Sequence, residues 1–280
     1  MSISLQQNKV YYFSLLVIGL LVASFVIFRS FHIAGTVHQG SIRPIRTSDG
    51  RARRNNRDQL YSSNWSGYAV AKYQTGKKYT SATATWIVPA VSSSPVGYSS
   101  SWIGIGGFCL NSSCSRVDKS LIQLGTEQDS SGNYYAWYEM LPQAETKISG
   151  FAVNAGDTIT ASLVMVSANK KSQTWQLTLT DGANVWSSTF NYKSSLASSE
   201  WIEEAPYSGS ILPLANFGTA TFDPGTADNS NPALNWGNAI IMQNPNGQTS
   251  NPSSPDSDTD GFNACWGAGS TLTPCSSPSS

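Results

Sequence analysis

Two stretches decide the fold: SLIQLG at residues 120–125 and YYAWYEM at residues 134–140. In both, residue types alternate with a period of two, which is the period of side chains along a β-strand. In the second stretch Tyr135, Trp137 and Glu139 share one face, and the opposite face is also aromatic. Two aromatic faces indicate a strand that packs against a second sheet on one side and lines a groove on the other.

The same alternation recurs along most of the chain. Short segments of period two are separated by clusters of Gly, Ser, Asn or Pro, and almost nothing has helical periodicity. Further strands are predicted at residues 79–88, 158–166, 173–180, 185–190, 200–204, 214–222 and 239–243, while residues 244–260 are predicted to be loop. Many short strands with such spacing are typical of a sandwich or a barrel, so an all-β domain is predicted over residues 61–280.

The first 60 residues have a different composition. Residues 11–28 contain no charge, and a helix of that length covers about 27 Å, just enough to cross a hydrocarbon core. No clear small-x-small cleavage site follows, so residues 1–32 are predicted to be a hydrophobic signal-anchor helix, with a removed signal peptide as the alternative. Residues 33–60 are polar and rich in arginine, which predicts a linker or a propeptide.

The charge is distributed unevenly about Tyr61. The chain has 17 basic and 17 acidic residues, but eight of the basic and only two of the acidic ones precede this position. The domain that follows is therefore mildly acidic. Phosphate binding needs a basic patch on the folded part, so nucleic acid is not an expected partner.

The four cysteines form two pairs that are local in sequence, Cys109 with Cys114 and Cys265 with Cys275. Two small disulfides in an oxidising compartment are the simplest interpretation. The alternative is a zinc site, but neither spacing is that of a zinc knuckle and the domain offers no histidine to complete one. We therefore expect an extracellular or cell-surface protein, either anchored by residues 11–28 or secreted after cleavage.

The absence of histidine excludes most catalytic classes. His32 and His38 both precede the domain, so a Ser-His-Asp triad, a Cys-His pair and a histidine-ligated metal cannot form within it. No phosphate-binding glycine motif, nucleophile elbow or aspartic-protease motif occurs after Tyr61. An enzyme built on this domain must use carboxylates and amides, and no metal or cofactor is expected.

Seven motifs resemble those of the glutamic peptidases, the G1 or eqolisin family of acid endopeptidases. The matching pieces, in chain order, are NWSGYAV from Asn64, WIVPAV from Trp86, WIGIGG from Trp102, LIQLG from Leu121, YAWYEMLP from Tyr135, EWIEEAP from Glu200 and ANFGTATF from Ala215. The resemblance covers nearly the whole domain. It implies a monomeric, antiparallel β-sandwich of the concanavalin A-like lectin or glucanase type, which cleaves proteins or peptides and is insensitive to pepstatin.

The resemblance also assigns candidate site residues. The family's catalytic glutamine matches Gln123, and its catalytic glutamate, fourth in a W-I-x-E run, matches Glu204. The neighbouring Glu203 is the rival, but strand alternation puts it on the opposite face. The resemblance further implies that three residues line the substrate groove, namely Trp65, Trp102 and Glu139.

One position departs from the family pattern. Fungal members have an aspartate after W-x-G-I, whereas this chain has Gly106, so an acidic neighbour of the glutamine is predicted to be missing. Two other functions remain open at this point. A glycoside hydrolase on the same fold would need paired acids, and a lectin-like carbohydrate-binding domain would need only aromatic faces.

Overall fold

The computed structural model describes residues 42–44, 60–267 and 275–280. Within these ranges strands dominate, and the helices are limited to one turn of α-helix, α1 at Lys72–Thr75, and a 3-10 helix at Trp236–Asn238. The all-β prediction is confirmed. The strands are β1 Ile42–Pro44, β2 Leu60–Ser62, β3 Trp65–Ala71, β4 Ser81–Ile87, β5 Ser99–Gly106, β6 Leu121–Gln128, β7 Tyr134–Met140, β8 Thr146–Lys147, β9 Thr158–Ala168, β10 Gln173–Asp181, β11 Asn184–Asn191, β12 Ser198–Glu204, β13 Thr219–Ala227, β14 Ala239–Gln243, β15 Thr249–Pro252 and β16 Phe262–Trp266.

Hydrogen bonding links fourteen of these strands in one continuous path. Its order is β11-β10-β9-β4-β13-β16-β15-β14-β3-β12-β5-β6-β7-β8. Pairs among the described strands are antiparallel, except that β14 runs parallel to β2. Strands from the two halves of this path form two layers that face each other across a common core, with β4 and β9 against β5 and β6.

Tryptophan side chains join the two layers. The indole N–H of Trp86, on β4, donates to Thr126 Oγ1 on β6 at 3.0 Å, and that of Trp201, on β12, donates to Thr83 O on β4 at 2.8 Å. Both rings are buried. Each therefore combines hydrophobic burial, worth about 1.5–3 kcal/mol for a large side chain, with a satisfied polar group.

The strands β3, β12, β5 and β6 are buried on both faces, and β7 beside them is partly buried. Their second face carries a separate apolar cluster that includes Trp65, Trp102, Trp137 and Ile202. The predicted alternation is confirmed, because Trp137 belongs to this cluster whereas Ala136 and Tyr138 pack in the core between the layers. We call this second face the site face.

Some strand predictions are wrong. Residues 214–222 are not one strand, because Leu214 is a buried residue that bridges to Tyr98 and β13 begins only at Thr219. The β13 strand then continues past Pro224 through a register shift between Phe222 and Gly225. The expected loop at 244–260 contains β15, which β14 and β16 hold on either side.

Both predicted disulfides are confirmed: Cys109 is bonded to Cys114, and Cys265 to Cys275. The hydrophobic helix predicted over residues 11–28 lies outside the described residues. Among the residues that are described, no helix has the length and apolar character needed to span a membrane. Within the predicted linker or propeptide, Ile42–Pro44 pairs with β2, with Arg43 opposite Tyr61.

Candidate active site

Glu204 ends β12 on the site face and is fully buried. Its Oε1 accepts a hydrogen bond from Asn64 Nδ2 at 2.7 Å, and its Oε2 accepts one from the indole Nε1 of Trp102 at 2.8 Å. Each carboxylate oxygen thus has a side-chain donor from a neighbouring segment. This arrangement fixes the carboxyl plane and stabilises the negative charge.

Asn64 is a site residue to which the sequence analysis gave no role. It lies just before β3, where Ser62 Oγ accepts from the backbone N–H groups of Asn64 and Trp65 at 3.2 and 3.0 Å. The Asn64 carbonyl accepts from Ala205 N at 2.9 Å, directly after Glu204. The sequence feature that could have identified Asn64 as a site residue is its position at the start of the NWSGYAV motif.

Gln123 lies in the middle of β6, opposite Gly104 on one side and Glu139 on the other. Its Nε2 donates a hydrogen bond to Glu139 Oε2. Gln123 is fully buried and Glu139 is 1% exposed. The Glu139 carboxylate therefore orients the amide from within the sheet.

Strand register places Gln123 and Glu204 on one face but in different rows, where a row is a line of residues paired directly across neighbouring strands. On β5, Gln123 lies opposite Gly104 and Glu204 lies opposite Ser100, with Trp102 between them. The Trp102 ring passes over Gly104, where an added Cβ would come within 2.8 Å of Cζ3. Trp102 thus bridges the two rows, because its ring covers the row of Gln123 while its N–H reaches Glu204.

Trp65 packs against the same indole. Its ring centroid lies 4.9 Å from that of Trp102 at an interplanar angle of 76°, an edge-to-face contact, and Trp65 is opposite Glu204 in register. Both tryptophans are buried rather than exposed along an open groove. They form an apolar wall around the Glu204 carboxylate.

The rival residue Glu203 points to the other face. Its Oε2 accepts from Ser101 Oγ at 2.5 Å in the core between the layers. Burial raises the pKa of Glu203 to about 8, and the nearby Glu204 charge adds to the shift. The prediction from alternation that Glu203 and Glu204 lie on opposite faces is confirmed.

Glu200 is a further buried carboxyl on the site face, in the row of Gln123. It lies across Gly104 from Gln123 and is fully buried. Burial raises the pKa of Glu200 well above its usual value; a hydrogen bond with Ser198 opposes this shift, and the charge of Asp118 adds to it.

Gly106 has an acidic side chain beside it, which comes from another segment of the chain. The Asp118 Oδ2 atom lies 3.1 Å from the position that a Cβ on Gly106 would occupy, and the Ser120 carbonyl would collide with that Cβ. Gly106 also has a φ of 93°, which disfavours a side chain. Asp118 is held there by Ser195 Oγ and by the N–H of Ser120 at 3.0 Å.

A fourth glutamate, Glu127, completes the acidic character of the site face. It lies in the row of Glu204, opposite Ser100, and its Oε1 accepts from Tyr135 Oη at 2.6 Å. Four buried glutamates on one face would repel one another if all were ionised.

An all-β fold that gathers an amide and several carboxyls on one face, without histidine, fits a hydrolase of the carboxylate-dependent class. Residues 63–261 match the Peptidase A4 family, and the chain belongs to this family, the glutamic peptidases. The resemblance identified from motifs is therefore confirmed. The protein is a glutamic-type endopeptidase.

Two similar fungal proteins have moderate identity to this chain. Aspergillopepsin-2 of Aspergillus niger is 29% identical over 213 residues, which cover 66% of this chain and 71% of the relative. Scytalidopepsin B of Scytalidium lignicola is 29% identical over 177 residues, which cover 59% of this chain and 63% of the relative. The fold is similar to a crystal structure of scytalido-glutamic peptidase with a transition state analog inhibitor, with a TM-score of 0.55 and 21% identity over 73% of this chain and 98% of that one.

Proposed function

We propose that Gln123 and Glu204 are the catalytic pair of this acid endopeptidase and that they activate a water molecule on a concanavalin A-like sandwich. The observation that carries the proposal is the setting of Glu204, a buried carboxylate whose two oxygens each accept a hydrogen bond from a fixed side chain. Gln123 lies on the same face, with its amide oriented by Glu139. No histidine, thiol or metal is required.

In this mechanism Glu204 is the general base. As a carboxylate it takes a proton from the water, which attacks the scissile carbonyl without a covalent intermediate. The protonated Glu204 then delivers the proton to the departing amine. One carboxyl therefore serves as base and then as acid, so activity should be confined to acidic pH.

Gln123 is proposed to stabilise the oxyanion. Its Nε2 carries two N–H groups, and a donor aimed at the developing negative charge is typically worth about 3–4 kcal/mol. Glu139 acts as the positioning residue for this amide. Trp65 and Trp102 are proposed to line the substrate site beside Glu204.

Residues 33–60 are proposed to be a propeptide. Ile42–Pro44 pairs with β2, which leads directly into Asn64 and Trp65, and the proposed catalytic side chains are buried. The net positive charge of the segment, beside a mildly acidic domain, supports an inhibitory role that its removal would end. Arg53–Arg54 is the proposed processing position, and N-terminal sequencing of the active species tests it.

The location is proposed from the disulfides and the leader. Two disulfides fit an oxidising compartment. We therefore propose an extracellular or cell-surface monomer, attached through residues 11–28 or released when the leader is cleaved. Fractionation of membranes and medium, followed by size-exclusion chromatography, tests both parts.

A substrate assay tests the activity itself. Incubation with casein and with a β-glucan at about pH 3–5, in the presence of pepstatin, should release peptides and no sugar. Release of sugar would favour a glycoside hydrolase. Glycan binding without either product would favour a lectin-like domain.

A further inference from the structure

The loop between β15 and β16 carries a pattern of acidic residues that the proposed catalytic mechanism does not use. Residues 256–261 read DSDTDG, with aspartates at the first, third and fifth positions and a glycine at the sixth. The pattern resembles the first half of an EF-hand calcium loop, in which those three side chains and the sharp glycine turn surround the ion. Here Asp256 and Asp260 converge, whereas Asp258 at the third position is not in the group. The twelfth position, which is a bidentate glutamate in that motif, is Gly267 here.

A carboxylate from a neighbouring strand takes the place of that glutamate. Asp223 belongs to β13, which pairs with β16 immediately after the loop. Asp223, Asp256 and Asp260 each offer an oxygen, and these oxygens all lie within 4.8 Å of one another. Three carboxylates distant in sequence thus converge on a volume that suits a hard cation.

Two of these carboxylates have buried oxygens that no described donor satisfies. Asp256 is only 7% exposed, and its Oδ1 accepts from the backbone N–H of Asp260 at 3.1 Å. Asp256 Oδ2 and Asp260 Oδ1 are buried and have no hydrogen-bond partner among the described residues. An isolated buried carboxylate oxygen is costly, so its pairing with a ligand is the expected explanation.

The backbone holds this arrangement in place. Asp256 N donates to Gly261 O at 3.0 Å, which closes the loop, and Gly225 N donates to Asp260 O at 2.9 Å, which ties the loop to β13. A Cβ on Gly261 would collide with Asp256 Oδ2 and would come within 2.8 Å of Asp223 Cγ. Glycine at this position is therefore what allows the two carboxylates to approach each other.

The cluster concentrates negative charge. Asp223, Asp256 and Asp260 place carboxylate oxygens within 4.8 Å of one another, and Asp258 lies in the same loop. Repulsion between like charges at such distances is relieved when a cation binds.

We infer that Asp223, Asp256 and Asp260 form a calcium-binding site that ties the 256–261 loop to β13. All the ligands are oxygens, which disfavours zinc and copper, and an irregular set of carboxylates suits Ca²⁺ better than Mg²⁺, which demands strict octahedral geometry. The site is separate from the strands that carry Gln123 and Glu204. Its role is to stabilise the edge where β13 meets β16.

Calorimetric titration of the chelator-treated full chain tests the inference. With CaCl₂ up to about 10 mM near neutral pH, we expect one site with a dissociation constant of about 0.1–1 mM, as in extracellular calcium modules. At about 10 mM CaCl₂, roughly ten- to a hundredfold above that dissociation constant, Tm should rise by about 3–10 °C. MgCl₂ should bind more weakly, and equal or tighter binding of Mg²⁺ would overturn the assignment to calcium.

Two variants and a matched control separate a calcium site from a merely structural cluster. Asp260→Asn and Asp223→Asn should melt at the same or a higher temperature than the wild type without calcium, because repulsion is removed. Neither should gain stability when calcium is added, whereas Asp181→Asn, on β10, should respond like the wild type. The inference fails if the wild type shows neither heat nor a Tm shift, or if both cluster variants keep the full response.

Discussion

Two faces of β12 hold glutamates in opposite environments. On the site face Glu204 is buried with a side-chain donor to each oxygen, whereas on the core face Glu203 has one donor, Ser101, and a pKa raised to about 8. The two residues are adjacent and equally buried. Burial alone therefore does not distinguish a proposed catalytic carboxylate from a structural one. The distinguishing feature is the pair of donors to Glu204, because hydrogen bonds to both oxygens favour the charged form of the carboxyl.

Glu200 extends the comparison along the site face. It shares this face with Glu204 and is equally buried, and burial raises its pKa well above the usual value. Glu204 differs in its two donors from neighbouring segments, Asn64 and Trp102. The face therefore holds two buried carboxyls in different hydrogen-bonding environments.

Replacement of the proposed base should have the largest effect. Glu204→Gln keeps the shape but removes the base, and kcat should fall by about 10²–10⁴-fold at acidic pH. Glu203→Gln is the matched control on the opposite face and should remain within about twofold of wild type. Peptide release from casein measures both, and equal losses in the two variants would refute the distinction between the faces.

Replacement of the proposed oxyanion donor should have the next largest effect. Gln123→Ala removes the amide, and kcat should fall by about 10²–10³-fold with little change in KM. Thermal unfolding monitored by circular dichroism serves as the control for folding. An unchanged kcat in a folded variant would remove Gln123 from the mechanism.

The buried Glu203 predicts that stability depends on pH. Because its pKa is higher in the folded chain than in the unfolded one, the folded state retains a proton that the unfolded state loses. The free energy of unfolding should be highest below about pH 4.5 and should fall by on the order of 4 kcal/mol as pH rises to about 8. Urea unfolding at several pH values measures this slope.

Glu203→Gln is the test of the cause, because an amide does not titrate. The slope between about pH 4.5 and 8 should become shallower in this variant, and the remainder should reflect Glu200. A slope identical to that of the wild type would mean that Glu203 does not contribute to it.

Loss of one donor to Glu204 should have the smallest effect. Trp102→Phe removes the indole N–H but keeps most of the ring, so kcat should fall by about tenfold, corresponding to one charge-assisted hydrogen bond. Trp137→Phe is the matched control, because Trp137 donates to Ser100 Oγ at 3.0 Å on the same face rather than to Glu204. Similar losses in both variants would indicate that indole packing on the site face, rather than the hydrogen bond to Glu204, determines kcat.

Much of the site was predictable because strand alternation is a local property. The period of two placed Tyr135, Trp137 and Glu139 together and separated Glu204 from Glu203, and the structure agrees. Strands β3 and β5 did not carry this signal. Both faces of each are buried, and their Gly and Ser residues obscure the alternation.

The sequence by itself determined the fold class, the faces of the site residues and both disulfides, because each depends on neighbours within a few residues. Only the tertiary structure decided which strands lie side by side. That pairing brings Asn64 to Glu204 and places Asp118 beside Gly106. It also brings Asp223 to the 256–261 loop. The physical reason is that long-range strand pairing depends on the packing of the whole core, which no local sequence pattern specifies.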